Sequence, residues 1–252
     1  EVFMKNYDLG TEKIGRLVRH FSVPCVISML VAALYNIVDQ IFIGWSEAGA
    51  FGNAATNIVY PFTVLALGLS LLVGDGAAAN FSLESGRKNK ERAEKSVGNG
   101  FFILVVLSGI LCLIGFLFKS QILKLFGANP AEELCYKFAN QYFSVICAGF
   151  PFYMIGQGMN ASIRADGSPK YAMACTLAGA IANLILDPLF IFAFNMGVRG
   201  AAIATVIGQA LTFAMSIAYL FRAKNFKINK KSVRLETSIL SRIISIGMAS
   251  LI

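Results

Sequence analysis

The stretch Ala182-Asn183-Leu184-Ile185-Leu186-Asp187-Pro188-Leu189-Phe190 decides how this chain is read. It sets an aspartate, an asparagine one helical turn before it and a proline just after it inside a run otherwise oily enough to span a bilayer. A charged side chain at that depth costs roughly 2.5 to 3.5 kcal/mol on insertion scales, so where one is kept it usually has a job. The composition points to the same setting. Hydrophobic residues make up 56% of the chain, charged residues only 14%, and Phe alone supplies 21 positions. So few charges leave a soluble domain unable to cover its surface, whereas a lipid-facing surface needs none.

Outward from that stretch, six apolar runs lie at about 21–44, 54–79, 98–118, 140–163, 171–194 and 200–221. Each is near the ~20 residues that a bilayer requires. Residues 238–252 begin a seventh run, and the chain, opening at Glu1 and stopping at Ile252, reads as cut at both ends. The first run is too long for a signal-peptide core and lacks a small-residue cleavage site, so it is read as a retained span. The predicted fold class is therefore an all-α membrane protein. Residues 1–222 form a six-transmembrane-helix bundle, and 223–252 form a cytoplasmic linker and the start of a seventh helix.

Orientation follows from the basic residues. With the amino terminus in the cytoplasm, the inner segments hold 18 of the 22 Lys and Arg residues: four up to Arg19, five from Arg87 to Lys95, Arg164 and Lys170, and seven from Arg222 to Arg242. The outer segments hold Lys119, Lys124, Lys137 and Arg199. That asymmetry predicts a cytoplasmic amino terminus and six completed crossings. The net charge of +8 is broken up by apolar runs and forms no stripe, which argues against a nucleic-acid partner. The basic run from Arg222 to Arg234 reads as a linker touching anionic lipid headgroups.

Local signals fill in the rest. Asn129-Pro130-Ala131-Glu132 predicts a capped helix start at Pro130. Only Asn195 to Arg199 join the fifth and sixth spans, which makes them antiparallel neighbours. Gly200, Ala204 and Gly208 share one face of the sixth span, at the spacing that lets helices pack closely in lipid. Pro24, Pro61 and Pro151 are expected to kink their helices. Trp45 and Tyr60 fit an aromatic belt, and His20 fits the inner boundary. The five cysteines, odd in number and without metal-ligand spacing, read as small core residues, and no cofactor is expected.

Of the 14 acidic residues only Asp39 and Asp187 fall well inside spans; Asp75 reads as lying near a span end. Asp39 is 18 residues from the inner start of its span and Asp187 is 16 residues from its own, roughly 27 and 24 Å at the helical rise. The two carboxylates therefore come out at similar depth on different helices. Thr205 descends to about that level on the sixth span. Asn183 lies one turn below Asp187, and Tyr35 one turn below Asp39. Pro188 also frees the carbonyl of Leu184. Two carboxylates, an amide, a hydroxyl and a loose carbonyl describe a site for Na⁺ or H⁺, and no Cys/His cluster offers itself to a softer metal. With no basic partner in any span, the acids are read as a coupled pair rather than a structural knot.

Three stretches resemble a known family. Tyr35-Asn36-Ile37-Val38-Asp39-Gln40-Ile41-Phe42-Ile43-Gly44 is similar to the first-helix signature of the multidrug and toxic compound extrusion (MATE) transporters. Asn160-Ala161-Ser162-Ile163-Arg164-Ala165-Asp166-Gly167-Ser168-Pro169-Lys170 resembles their junction of the fourth and fifth helices. Asn183 to Pro188 followed by Gly200-Ala201-Ala202-Ile203-Ala204-Thr205 resembles their fifth- and sixth-helix pattern. The resemblance covers about residues 14–252. It implies one lobe of a twelve-helix antiporter of the plasma (bacterial inner) membrane, lacking its carboxy-terminal lobe.

By this resemblance the transporter exchanges Na⁺ or H⁺ for cationic amphiphilic small molecules. It maps cation coupling onto Asp39, Asn183, Asp187 and Thr205, and a supporting polar network onto Tyr35, Gln157 and Asn160, although the depth count puts Gln157 and Asn160 nearer the cytoplasm. Two alternatives compete with it. A lipid-linked oligosaccharide flippase of the same superfamily is expected to carry basic residues inside its cavity, and no span interior here has one. An intramembrane aspartyl protease is expected to carry Gly-x-Gly-Asp, where this chain has Leu72-Val73-Gly74-Asp75.

Overall fold

Long apolar runs whose backbone groups must be satisfied within the segment form helices in lipid, and helices dominate the computed structural model, which describes residues 13–229 and 232–250. Lys5, Lys230 and Lys231 of the expected basic clusters, and the last two residues of the expected seventh span, lie outside the described residues. In chain order the helices are α1 Ile14–Trp45, α2 Gly49–Gly86, α3 Lys90–Leu117 and the short α4 Lys119–Leu125. They continue as α5 Glu133–Ala165, α6 Pro169–Pro188, α7 Gly197–Leu220 and α8 Thr237–Gly247. Among the described residues six are long, matching the six expected spans; each starts before its apolar run does.

Five of the six are long and apolar enough to cross a membrane. The other, α5, is more polar, and its position explains why. It packs against α2, α3, α6 and α7. A helix surrounded by other helices shows little of itself to lipid, so its sequence can carry Asn, Gln and Tyr without a lipid-facing cost. The helix α1 is the opposite case. It packs mainly on α6, and its apolar side chains from Val23 to Ile41 are largely exposed.

One local expectation is corrected. The fourth long helix does not begin at Pro130. The Asn129 side chain accepts from the Ala131 amide, 3.0 Å away, and folds 129–132 into a turn, so α5 begins at Glu133. The same connection also contains α4, whose Leu123 is buried in the core. Asp75, read as lying near a span end, is on α2 and forms an ion pair at 3.7 Å with Arg164, in the last turn of α5.

The small-residue face of α7 packs as expected. A Cβ on Gly208 would meet the Gly179 carbonyl oxygen of α6 at 2.6 Å, so this contact exists only because neither helix has a side chain there. All five cysteines are free, three of them buried. Pro24, Pro61 and Pro151 lie inside their helices.

The segment after α7 folds back on the bundle. Phe226, Ile239 and Ile243 share one apolar cluster with Val73, Ala77, Phe81 and Val97 of α2 and α3. Its polar anchor is Asn99, whose amide nitrogen donates to the Ser232 and Arg234 carbonyls and whose amide oxygen accepts from the Glu236 amide. A second anchor is Asp166, 1% exposed. It accepts from the Tyr219 hydroxyl and from the backbone amides of Lys224 and Asn225. Gly167, at φ +82°, makes the left-handed turn that ends α5 beside it. Its amide bonds back to Arg164 and that of Ser168 to Ile163, the Schellman closure.

Candidate cation site

The site lies toward the end of the bundle that carries Trp45. Asp39 is six residues before the end of α1 at Trp45. Asp187 is six before Ala193, where the helical path continued from α6 stops. Both acids therefore sit at one level, on α1 and α6, which pack together. Asp39 is 6% exposed and Asp187 fully buried.

Local backbone chemistry sets the geometry on α6. Pro188 carries no amide hydrogen, so the α-helical ladder cannot continue through it unchanged. The next five residues, Leu189–Ala193, widen into a π-helical turn, with the Phe194 amide donating to Leu189 at 2.9 Å. Such one-turn widenings are frequent at functional sites. Here the widening follows directly on Asp187. One turn earlier, the Asn183 amide nitrogen donates to Asp187 Oδ1 at 3.1 Å and to Thr205 Oγ1 of α7 at 3.4 Å. Close approach of α6 and α7 at Gly179 and Gly208 brings Asn183 within reach of Thr205.

Asp39, Asn183, Asp187 and Thr205 are thus gathered from three helices. Tyr35 stands beside them and lines a cavity of about 420 Å³ between α1, α2, α5 and α7. Asp39 and Thr205 line it too, with Gln40, Thr56, Tyr142 and Gln209. Tyr60, expected in the aromatic belt, also lines this cavity. Among the described residues no Lys or Arg lines it. Gln157 faces a narrower crevice next to Asn183 and Thr205, away from Asp39.

Asn160 stands apart from the expected network. Its amide nitrogen donates to the Ala172 carbonyl and its oxygen accepts from Arg164, tying α5 to α6 near the turn at Gly167.

Sequence reasoning missed Tyr142 and Tyr153. A signal was available: Tyr142, Tyr153 and Gln157 are 11 and four residues apart, which puts all three on one face of α5.

The donor set fits a small hard cation or a proton. Asp39 Oδ1, Asp187 Oδ2 and Asn183 Oδ1 are buried with no hydrogen-bond partner among the described residues. Two buried carboxylates cannot both hold charge at close range without a compensating positive charge. Oxygen-only ligands favour Na⁺ or H⁺ over softer metals. Among the described residues no group of three His, Cys, Asp or Glu side chains comes together.

A bundle of long apolar helices with a paired acid site beside a polar cavity has the build of a transporter lobe, a multi-pass membrane protein. A family model described as MatE matches residues 24–189, and the chain belongs to that family. Among curated relatives, the multidrug export protein MepA of Staphylococcus aureus (strain MRSA252) is 28% identical over 243 residues, 96% of this chain and 53% of MepA. The FAD transporter of Shewanella oneidensis is 29% identical over 224 residues, 87% of this chain and 48% of that protein. A solved structure of the MATE multidrug transporter DinF-BH superposes with a TM-score of 0.89 at 32% identity, over 98% of this chain and 55% of DinF-BH. This chain spans about half the length of the curated relatives it matches.

Proposed function

We propose that residues 1–222 form the amino-terminal lobe of a secondary antiporter that exports cationic amphiphilic molecules in exchange for Na⁺ or H⁺. The carrying observation is the Asp39–Asp187 pair, buried at one level without a basic neighbour among the residues lining the cavity. In this reading the Trp45 end faces outward and the amino terminus lies in the cytoplasm of a bacterial cell. The cavity opens to the ion and the drug in turn. Asn183 holds Asp187 in orientation through its amide, and Thr205 adds a neutral oxygen. Residues 223–252 connect to a second lobe, and their basic positions meet anionic lipid.

When Na⁺ or H⁺ joins the pair, the site loses the negative charge that attracts an organic cation, and the drug leaves outward. The ion drives this only so far as it binds the two lobe arrangements with different affinity. No covalent step is needed, so the protein is read as a transporter without enzymatic activity. An anionic cargo, whether a flavin nucleotide or a lipid pyrophosphate, is disfavoured because the cavity wall carries Asp39 and, among the described residues, no Lys or Arg. The tyrosines at positions 35, 60, 142 and 153 suit a cation instead, since their ring faces attract positive charge.

The test uses the full transporter in liposomes. Efflux of a cationic dye is followed under an imposed Na⁺ or pH gradient in wild type, Asp39→Asn and Asp187→Asn. Loss of gradient-driven efflux in both variants is expected. Undiminished efflux in both removes the proposal.

A further inference from the structure

We infer that the crevice on the far side of Asn183 is a second cation station, built from neutral oxygens, through which the coupling ion passes between the acid pair and the basic end of the bundle. This rests on the antiport reading above and assigns a path to its ion. The crevice has a volume of about 50 Å³, and Gln157, Thr176, Asn183, Thr205, Gln209 and Thr212 line it. Tyr35, Tyr153, Thr205 and Gln209 line both this space and the larger cavity, so one wall of side chains separates the two.

The chemistry of the crevice is that of an acceptor surface. The Thr212 hydroxyl has given its hydrogen to the carbonyls of Cys175 and Gly208, and that of Thr176 to Ala172. Both threonines therefore present lone pairs. Asn183 directs both its amide contacts at Asp187 and Thr205, which fixes which end of the amide is oxygen. Its Oδ1, in a side chain 2% exposed, has no donor among the described residues, and neither has Gln209 Oε1.

Buried acceptors without donors cost about 1–3 kcal/mol each, so the space recruits something that donates. A polar space of this size takes a few waters, and a hydrated Na⁺ or a hydronium satisfies the same oxygens. Neutral oxygens hold such an ion weakly. An ion held weakly beside a strong anionic pair can leave again, which conduction through adjacent sites requires.

The experiment again uses the full transporter in liposomes, with ethidium as the exported cation. One arm imposes a Na⁺ gradient at equal pH, the other a pH gradient without Na⁺, and the arm that drives wild-type efflux identifies the ion. In that arm Thr176→Val and Gln209→Leu are each expected to lower the gradient-driven rate about tenfold, the scale of one lost polar contact. Thr176→Ser, which keeps the hydroxyl, is expected to retain the wild-type rate. Wild-type rates in both Thr176→Val and Gln209→Leu overturn the inference, as does an equal loss in Thr176→Ser and Thr176→Val. Asp39→Asn is run in parallel. If it also keeps full gradient-driven efflux, the antiport reading falls and the inference with it. If it loses efflux while both crevice variants keep it, the inference alone falls.

Discussion

Asp187 has no exposed surface, and its protein hydrogen-bond donor is the Asn183 amide, held in turn by Thr205. Replacing Asn183 by Leu keeps the volume and removes that donor. A lost bond to a carboxylate in a buried site is worth about 1.5–3 kcal/mol, so Asn183→Leu is expected to lower gradient-driven efflux about tenfold or more. Initial efflux rates in liposomes check this, and a wild-type rate contradicts it. The four residues of this cluster were legible because depth along a span is countable from sequence at a fixed rise per residue. Tyr142, Tyr153 and Gln209 were harder. Their level was countable, but which side of α5 or α7 meets the acids depends on how those helices pack. Asp166 and Glu84, at 1% and 2% exposure, were hidden for another reason. Both lie at turns in sequence and read as surface acids until the chain after α7 returns to cover them.

At the scale of helices, the contact between α6 and α7 depends on two missing side chains. Gly208→Val places a Cβ against the Gly179 carbonyl and is expected to cost about 1–3 kcal/mol, the range for overpacking. Gly109→Val on α3, where an added Cβ meets nothing within 4 Å, serves as the control and is expected to change stability far less. Thermal unfolding in detergent compares the two, and equal shifts contradict the account.

Asn99→Leu removes the bonds that hold 232–236 on α3. Amide hydrogen exchange in that segment is expected to speed up by an order of magnitude or more, with α5 unaffected; unchanged exchange speaks against the anchor. Beside it, a hydrogen bond from Lys95 holds the Glu236 carboxyl below its usual range. A carboxyl lowered on folding stabilises the fold above its usual range and loses that contribution as pH falls through the lowered value. Acidification below the ordinary carboxylate range is therefore expected to loosen 232–240 slightly, since the pair is exposed and screened. A rise in protection on acidification contradicts the sign. Hydrophobic runs located the long helices, and loop chemistry placed their ends less well. The motif at Asn129 looked like a helix cap, but its side chain closes a turn four residues before the helix starts at Glu133.

For the whole molecule, the packing of Phe226, Ile239 and Ile243 into the core of α2 and α3 makes the segment after α7 part of the same body as the six long helices. The proposed topology puts the amino terminus in the cytoplasm, and a tag there is expected to be protected from an external protease in intact cells.

The exchange itself has a more direct readout. The purified full transporter, at a pH and Na⁺ concentration where the pair is loaded, is mixed with a cationic dye, and released protons or displaced ²²Na⁺ are measured against dye bound. Linkage requires that an ion and a drug competing through Asp39 and Asp187 expel one another reciprocally. The account predicts ion release in proportion to dye bound in wild type, and dye binding without release in Asp39→Asn and Asp187→Asn. Release as large in both variants as in wild type contradicts it.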